Sequence, residues 1–123
     1  MKLKKILSPT RFYKSLLYSL NGLKYLIKNE VNFNIHILAA ILVIIAGIYF
    51  KLQTWEWCVI TIAIGSVMTA EGLNTSIEIL TDLVTKEHHP LAEKTKDTAA
   101  GAVLITTIMA IILGIIIFLP KLL

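Results

Sequence analysis

The chain has 123 residues, enough for one domain and too few for a separate nucleotide-binding lobe beside it. Hydrophobic residues make up 56% and charged residues 16%, with a mean hydropathy of +0.76, so the bilayer is the expected solvent. The net charge of +4 is modest, and the single cysteine, Cys58, excludes an intrachain disulfide and a cysteine-based metal site.

Met1 to Leu7 has a basic start, but Ser8-Pro9-Thr10-Arg11 interrupts any apolar region and no small-residue cleavage site follows, so the segment is expected to stay in the mature protein. Pro9 suits the first turn of a helix and Ser8 its cap. Over 9–28, Phe12, Leu16, Leu20, Leu23 and Ile27 recur at spacings of three or four, with Arg11, Lys14, Asn21, Lys24 and Lys28 largely between them. That pattern predicts an amphipathic helix in the membrane interface; a soluble partner helix is the plainer alternative. Lys2, Lys4, Lys5, Arg11, Lys14, Lys24 and Lys28 all precede the first apolar stretch, which points to anionic lipid headgroups and not to nucleic acid.

A first span is predicted over 33–50, with Glu30, Asn32, Asn34 and His36 at its interfacial start. Lys51 to Thr54 forms a turn, and Trp55 and Trp57 anchor the opposite interface. The second transmembrane helix covers 55–84, a polar loop 85–98, and the third span 99–119, ended by Pro120-Lys121. Lys86, Lys94 and Lys96 fall in the second loop, against Lys51 alone in the first and Lys121 at the C-terminus. The positive-inside rule therefore puts the N-terminus and the loop 85–98 in the cytoplasm. No internal repeat and no strand-like alternation is visible. The expected fold is an all-α membrane protein: one amphipathic surface helix and three transmembrane helices.

The second helix carries Glu71, Asn74, Glu78 and Asp82. At ~100° per residue they fall at about 0°, 300°, 340° and 20°, one narrow arc running ~16 Å along the axis. Intramembrane carboxylates are costly and persist when cations neutralise them or some stay protonated. For oxygen ligands the expected cation is Mg²⁺, held by one or two carboxylates plus substrate phosphates. A single Asn or Glu here can instead glue helices by hydrogen bonding, as can Thr69, Ser76 and Thr81.

The second loop ends in Glu93-Lys94-Thr95-Lys96-Asp97, followed by small residues that let the third helix approach its neighbours. A lysine beside the acidic stripe can contact transferring phosphates, with an adjacent Asp to order it. Lys86 and Lys94 read as ordinary positive-inside charge. There is no Walker-type loop and no protein-kinase signature. These residues fit a kinase, and they also fit a small proton- or cation-coupled transporter, or a silent scaffold whose polar stripe sets oligomer contacts.

Glu71-Gly72-Leu73-Asn74-Thr75-Ser76-Ile77-Glu78-Ile79-Leu80-Thr81-Asp82, with Lys96-Asp97-Thr98-Ala99-Ala100 after it, resembles the signature of the prokaryotic diacylglycerol kinase family, which includes undecaprenol kinases. The likeness runs from Arg11 into the third span. It implies a homotrimer in the bacterial cytoplasmic membrane, with active sites between subunits, that phosphorylates a membrane lipid alcohol with ATP and Mg²⁺. By this resemblance Glu71 matches the general base, Glu78 and Glu30 the metal ligands, and Asn74 a residue lining the site. Lys96 matches the phosphate-contacting lysine, and Asp97 and Asp82 match residues that contact nucleotide or organise the site. Arg11, Tyr18 and Ser19 fall on family positions near the nucleotide or lipid entrance. The segment Asn29 to His36 and the run His88-His89-Pro90-Leu91-Ala92-Glu93 look more like the undecaprenol branch; the proteobacterial diacylglycerol kinases usually carry an acid where His36 stands. His36 and His88 themselves read as interfacial polar side chains. Thr95 departs from the usual Ala before Lys-Asp.

Overall fold

A computed structural model describes residues 2–123 as helices α1 (Lys2–Ile6), α2 (Pro9–Asn29), α3 (Val31–Tyr49), α4 (Thr54–Val84) and α5 (Pro90–Leu122). Three of them, α3, α4 and α5, are long and apolar enough to cross a membrane. Their burial is inverted relative to a water-soluble bundle. The side chains most enclosed include Glu56, Glu71, Asn74, Thr75 and Thr81, whereas Ile41, Leu42, Ile45, Ile105, Ile112 and Ile116 face outward. In lipid an outward isoleucine costs nothing, while a backbone or side-chain polar group must find its partner inside.

Helix α2 starts as its sequence predicts: Ser8 Oγ accepts a 3.3 Å bond from the Arg11 N–H, and Pro9 opens the first turn. None of its side chains is buried, as befits a helix lying on a surface. It ends at a one-residue corner. Glu30 is extended (φ −110°, ψ 105°), its N–H donates to Leu26 O at 2.9 Å, and its carbonyl accepts from Asn34 N at 3.3 Å. Asn34 Nδ2 reaches back to Ile27 O at 2.8 Å and ties the two helices together. Leu26 lies over Gly72, so α2 folds back towards α4.

The α3–α4 hairpin closes through Leu52 N donating to Gly47 O at 3.1 Å, with Lys51 in the left-handed region at φ 55°. Gly47 faces the Trp57 ring directly. Gln53 and Glu56 form a capping box on α4, and Glu56 also receives Lys121 Nζ at 3.0 Å from the last turn of α5. Leu52, Ile60 and Ile117 pack beside this pair with Val43, Trp57 and Phe118 around them.

Two boundaries depart from the sequence expectation. The segment 85–98, expected as a loop, is helical from Pro90 onward, leaving only 85–89 as the turn. Pro90 takes the first helical position, His89 Nδ1 accepts from Leu91 N at 3.1 Å, and Glu93 faces the positive end of the helix. Polar residues there mark a helix emerging from the bilayer, since its 33 residues span ~50 Å against a ~30 Å hydrocarbon core. The helix also continues through Pro120 to Leu122, because a proline in the last turn forfeits only one intrahelical bond.

Candidate active site

Antiparallel packing of α4 on α5 is fixed at both ends by ion pairs, Glu56 to Lys121 at one and Asp82 to Lys96 at the other. Between them runs the polar stripe. Glu71 is 3% exposed and is the most enclosed carboxylate of the described residues. One turn along, Asn74 is buried and its Nδ2 donates to Glu78 Oε1 at 3.1 Å. Among the described residues Asn74 Oδ1 has no hydrogen-bond partner, nor has the buried hydroxyl of Thr75. Asp82, at the exposed end, accepts a 2.6 Å hydrogen bond from Lys96 Nζ. Helical phase and packing thus give a graded line of acids, from dry at Glu71 to wet at Asp82.

The structure brings Glu71, Asn74, Glu78, Asp82 and Lys96 together along one seam. It gives Lys96 a different partner from the expected neighbour: Asp82 holds it, while Asp97, next in sequence, points to an exposed face. Consecutive helical residues diverge by ~100°, so a lysine and the residue after it cannot share a partner face. Glu30 sits half-buried at the α2–α3 corner. Arg11, Tyr18 and Ser19 are exposed along α2, and Ser19 Oγ donates to Ser15 O at 2.9 Å. Among the described residues no hydrogen bond or ion pair joins Arg11, Tyr18, Ser19 or Glu30 to the seam.

His36 is the residue whose place sequence reasoning missed. Instead of standing free at the interface, it lies half-buried with Nε2 3.8 Å from Glu71 Oε2. Nothing local in the sequence signals this, because the contact depends on the height at which α3 lies against α4. Beyond it, a cavity of about 260 Å³ runs between α3, α4 and α5, walled by His36, Ala39, Val43, Ala63, Val67 and Gly114. A second, polar cavity of about 380 Å³ opens at the α4–α5 turn, lined by Asp82, Lys86, His88, Glu93 and Lys96 among others.

Among the described residues no three or more His, Cys, Asp or Glu side chains converge on one point. Mg²⁺ does not require that, since it usually keeps waters and phosphate oxygens around one or two carboxylates. The Glu78 carboxylate and the buried, unpartnered Oδ1 of Asn74, whose Nδ2 contacts Glu78, are oxygen donors of the kind such an ion takes.

Residues 17–118 match the family model described as prokaryotic diacylglycerol kinase. The undecaprenol kinase of Bacillus subtilis (strain 168) is 44% identical over 112 residues, 91% of either chain. The diacylglycerol kinase of Escherichia coli (strain K12) is 31% identical over 103 residues, 84% of either chain. That of Synechocystis is 38% identical over 107 residues, 86% of this chain and 61% of its own length. A polar stripe in a membrane helix is equally at home in a transporter, but these relatives are kinases. The chain belongs to the prokaryotic diacylglycerol kinase family of membrane lipid kinases.

Proposed function

We propose that this protein transfers the γ-phosphate of ATP to the hydroxyl of undecaprenol, in preference to diacylglycerol, with Glu71 as the general base. The observation that carries the site is the graded seam: a dry carboxylate at Glu71 leading, on one helical face, to the exposed Lys96–Asp82 pair. The 44% identity to an undecaprenol kinase, against 31–38% for diacylglycerol kinases, favours the polyprenol.

The lipid hydroxyl approaches from the bilayer and gives its proton to Glu71. Its oxygen forms a bond to the γ-phosphorus while the bond from that phosphorus to the bridging oxygen breaks, releasing ADP. Burial keeps Glu71 away from competing water, which would otherwise accept the phosphoryl group. Lys96 neutralises charge on the phosphates, and Asp82 orients it by the 2.6 Å contact. Glu78 and Glu30 would hold Mg²⁺ with Asn74 Oδ1 close by; the ion neutralises phosphate charge when bound. Asp97, Arg11, Tyr18 and Ser19 are assigned to the nucleotide or lipid entrance on the family resemblance.

The assembly we assign is a homotrimer with sites between subunits. It would bring Arg11, Tyr18 and Ser19, exposed on α2 and bonded to no residue of the seam in their own copy, to the seam of a neighbour. The basic N-terminal segment and the α4–α5 turn belong on the cytoplasmic side of a bacterial inner membrane, where ATP is available. Chemical cross-linking and mass measurement in detergent test the trimer, and labelling of single cysteines placed in the 85–89 turn of a Cys58-free variant tests the topology.

The deciding experiment offers undecaprenol and diacylglycerol to the protein in nanodiscs with γ-labelled ATP. Faster labelling of undecaprenol is expected. Preference for diacylglycerol reverses the lipid assignment, and transfer to neither from folded protein removes both.

A further inference from the structure

We infer that Glu56 and Lys121 form a positioning pair for phosphoryl transfer: from the far end of the bundle they set the height of α5 on α4, and with it the place of the Lys96 ammonium. This rests on the reading of Lys96 as the phosphate-contacting lysine given above, and adds to it the pair that holds Lys96 in place.

The two ion pairs are matched in spacing. From Glu56 to Asp82 is ~39 Å of α4, and from Lys121 to Lys96 ~38 Å of α5, at ~1.5 Å per residue. Both pairs therefore close in the same register, and sliding α5 by one helical turn, ~5.4 Å, opens both.

They are unequal in strength. The Asp82 and Lys96 side chains are 62% and 40% exposed, so water screens their attraction and cannot be relied on to leave Lys96 fixed. Those of Glu56 and Lys121 are 8% and 24% exposed. Both Glu56 oxygens are engaged: Oε2 accepts the Gln53 N–H at 2.8 Å, and Oε1 accepts from Lys121 Nζ at 3.0 Å. A carboxylate withdrawn from water and held at two points has one position, and leaving it there unpaired is costly.

Little else along α5 fixes its height. Among the described residues no other hydrogen bond or ion pair crosses between α4 and α5. Thr106 and Thr107 both donate to Val103 O of their own helix. An added Cβ at Gly101 or Gly114 would meet nothing within 4 Å, so no tight contact locks α5 there. The buried side chains of α5 are Ala99, a single methyl one turn from Lys96, and Ile117, one turn from Lys121 and packed with Leu52 and Ile60. Apolar burial is non-directional and tolerates sliding. Control of height is thus concentrated at the end that carries Glu56 and Lys121, while the charge that needs placing sits at the other. A misplacement of about 1 Å at a reacting group can cost about 10²-fold in rate.

The test measures steady-state kinetics of the full chain in nanodiscs, using whichever of undecaprenol and diacylglycerol the unaltered protein phosphorylates. Lys121→Met, which keeps the apolar stem and removes the charge, is expected to lower kcat/KM for ATP about tenfold and leave the lipid KM within about twofold. Glu56→Gln, which keeps an oxygen for the Gln53 N–H, should do the same. Lys121→Arg, which restores the charge and its donors, should return kcat/KM to within about threefold of the parent. In a Lys96→Ala protein, adding Lys121→Met should change kcat/KM by less than about twofold, because no ammonium is left to misplace. Should either Glu56→Gln or Lys121→Met fail to fold, the other carries the same expectation. Parental kinetics in the folded variant, a Lys121→Arg no better than Lys121→Met, ATP and lipid KM values that rise together, or a full tenfold loss on top of Lys96→Ala each overturns the inference. Lys96→Ala run alone separates the two layers: full activity removes the reading of Lys96, whereas a deficient Lys96→Ala beside a parental Lys121→Met removes only this inference.

Discussion

Lys96 Nζ lies 2.6 Å from Asp82 Oδ1, joining the last turns of α4 to the second turn of α5 across fourteen residues of chain. Both side chains are partly open to water, so the pair adds little to stability, and its value lies in where it holds a positive charge. Lys96→Ala is expected to lower kcat/KM for ATP by about 10²-fold or more, Lys96→Arg by less, and Asp82→Asn by about tenfold. Thermal unfolding of all three should match the parent. A loss of activity that tracks a loss of fold would assign the pair a structural role.

Glu71→Gln removes the proton acceptor and keeps the shape of the buried side chain. Turnover should fall by about 10²–10⁴-fold with the ATP KM little changed. Substantial residual turnover in labelled-ATP assays would take Glu71 out of the base role.

Chelation of divalent cations should abolish transfer, and Mg²⁺ should restore it. Glu78→Gln and Glu30→Gln should each require about tenfold more free Mg²⁺ for half-maximal rate, and Asn74→Ala should shift it the same way by less. Titrating free Mg²⁺ at fixed ATP reads this directly; curves that superimpose on the parent's would separate these residues from the metal.

Gly47 packs so closely on the hairpin that an added Cβ would stand 2.6 Å from Trp57 Cη2 and 2.9 Å from Leu52 Cδ1. Gly47→Ala should cost about 1–3 kcal/mol by overpacking, read as a lower unfolding midpoint in detergent. Adding Trp57→Leu, which vacates the contact, should return part of the loss. A Gly47→Ala protein as stable as the parent would mean that the ring moves aside freely.

Much of the architecture is legible in the sequence because it depends on local chemistry. Ser8-Pro9 starts α2 through groups within three residues of each other. Long apolar runs announce α3, α4 and α5 because lipid rewards outward apolar side chains at every position. Glu71, Asn74, Glu78 and Asp82 share a face by helical phase alone, which no packing can alter. Residues 90–98 misled for the same reason: their polarity reports the solvent around a helix and says nothing against the helix itself.

What the tertiary structure alone decided are the relations across helices. Whether Lys96 meets Asp82, and whether His36 stands free or beside Glu71, depends on the register in which α3 and α5 lie against α4. That register is set by contacts between helices, Gly47 against Trp57 for α3 on α4 and Glu56 with Lys121 for α5 on α4. Periodicity specifies the face on which a side chain lies but not its height against a neighbouring helix, and height is what turned a stripe of acids into a seam with a dry end and a wet one.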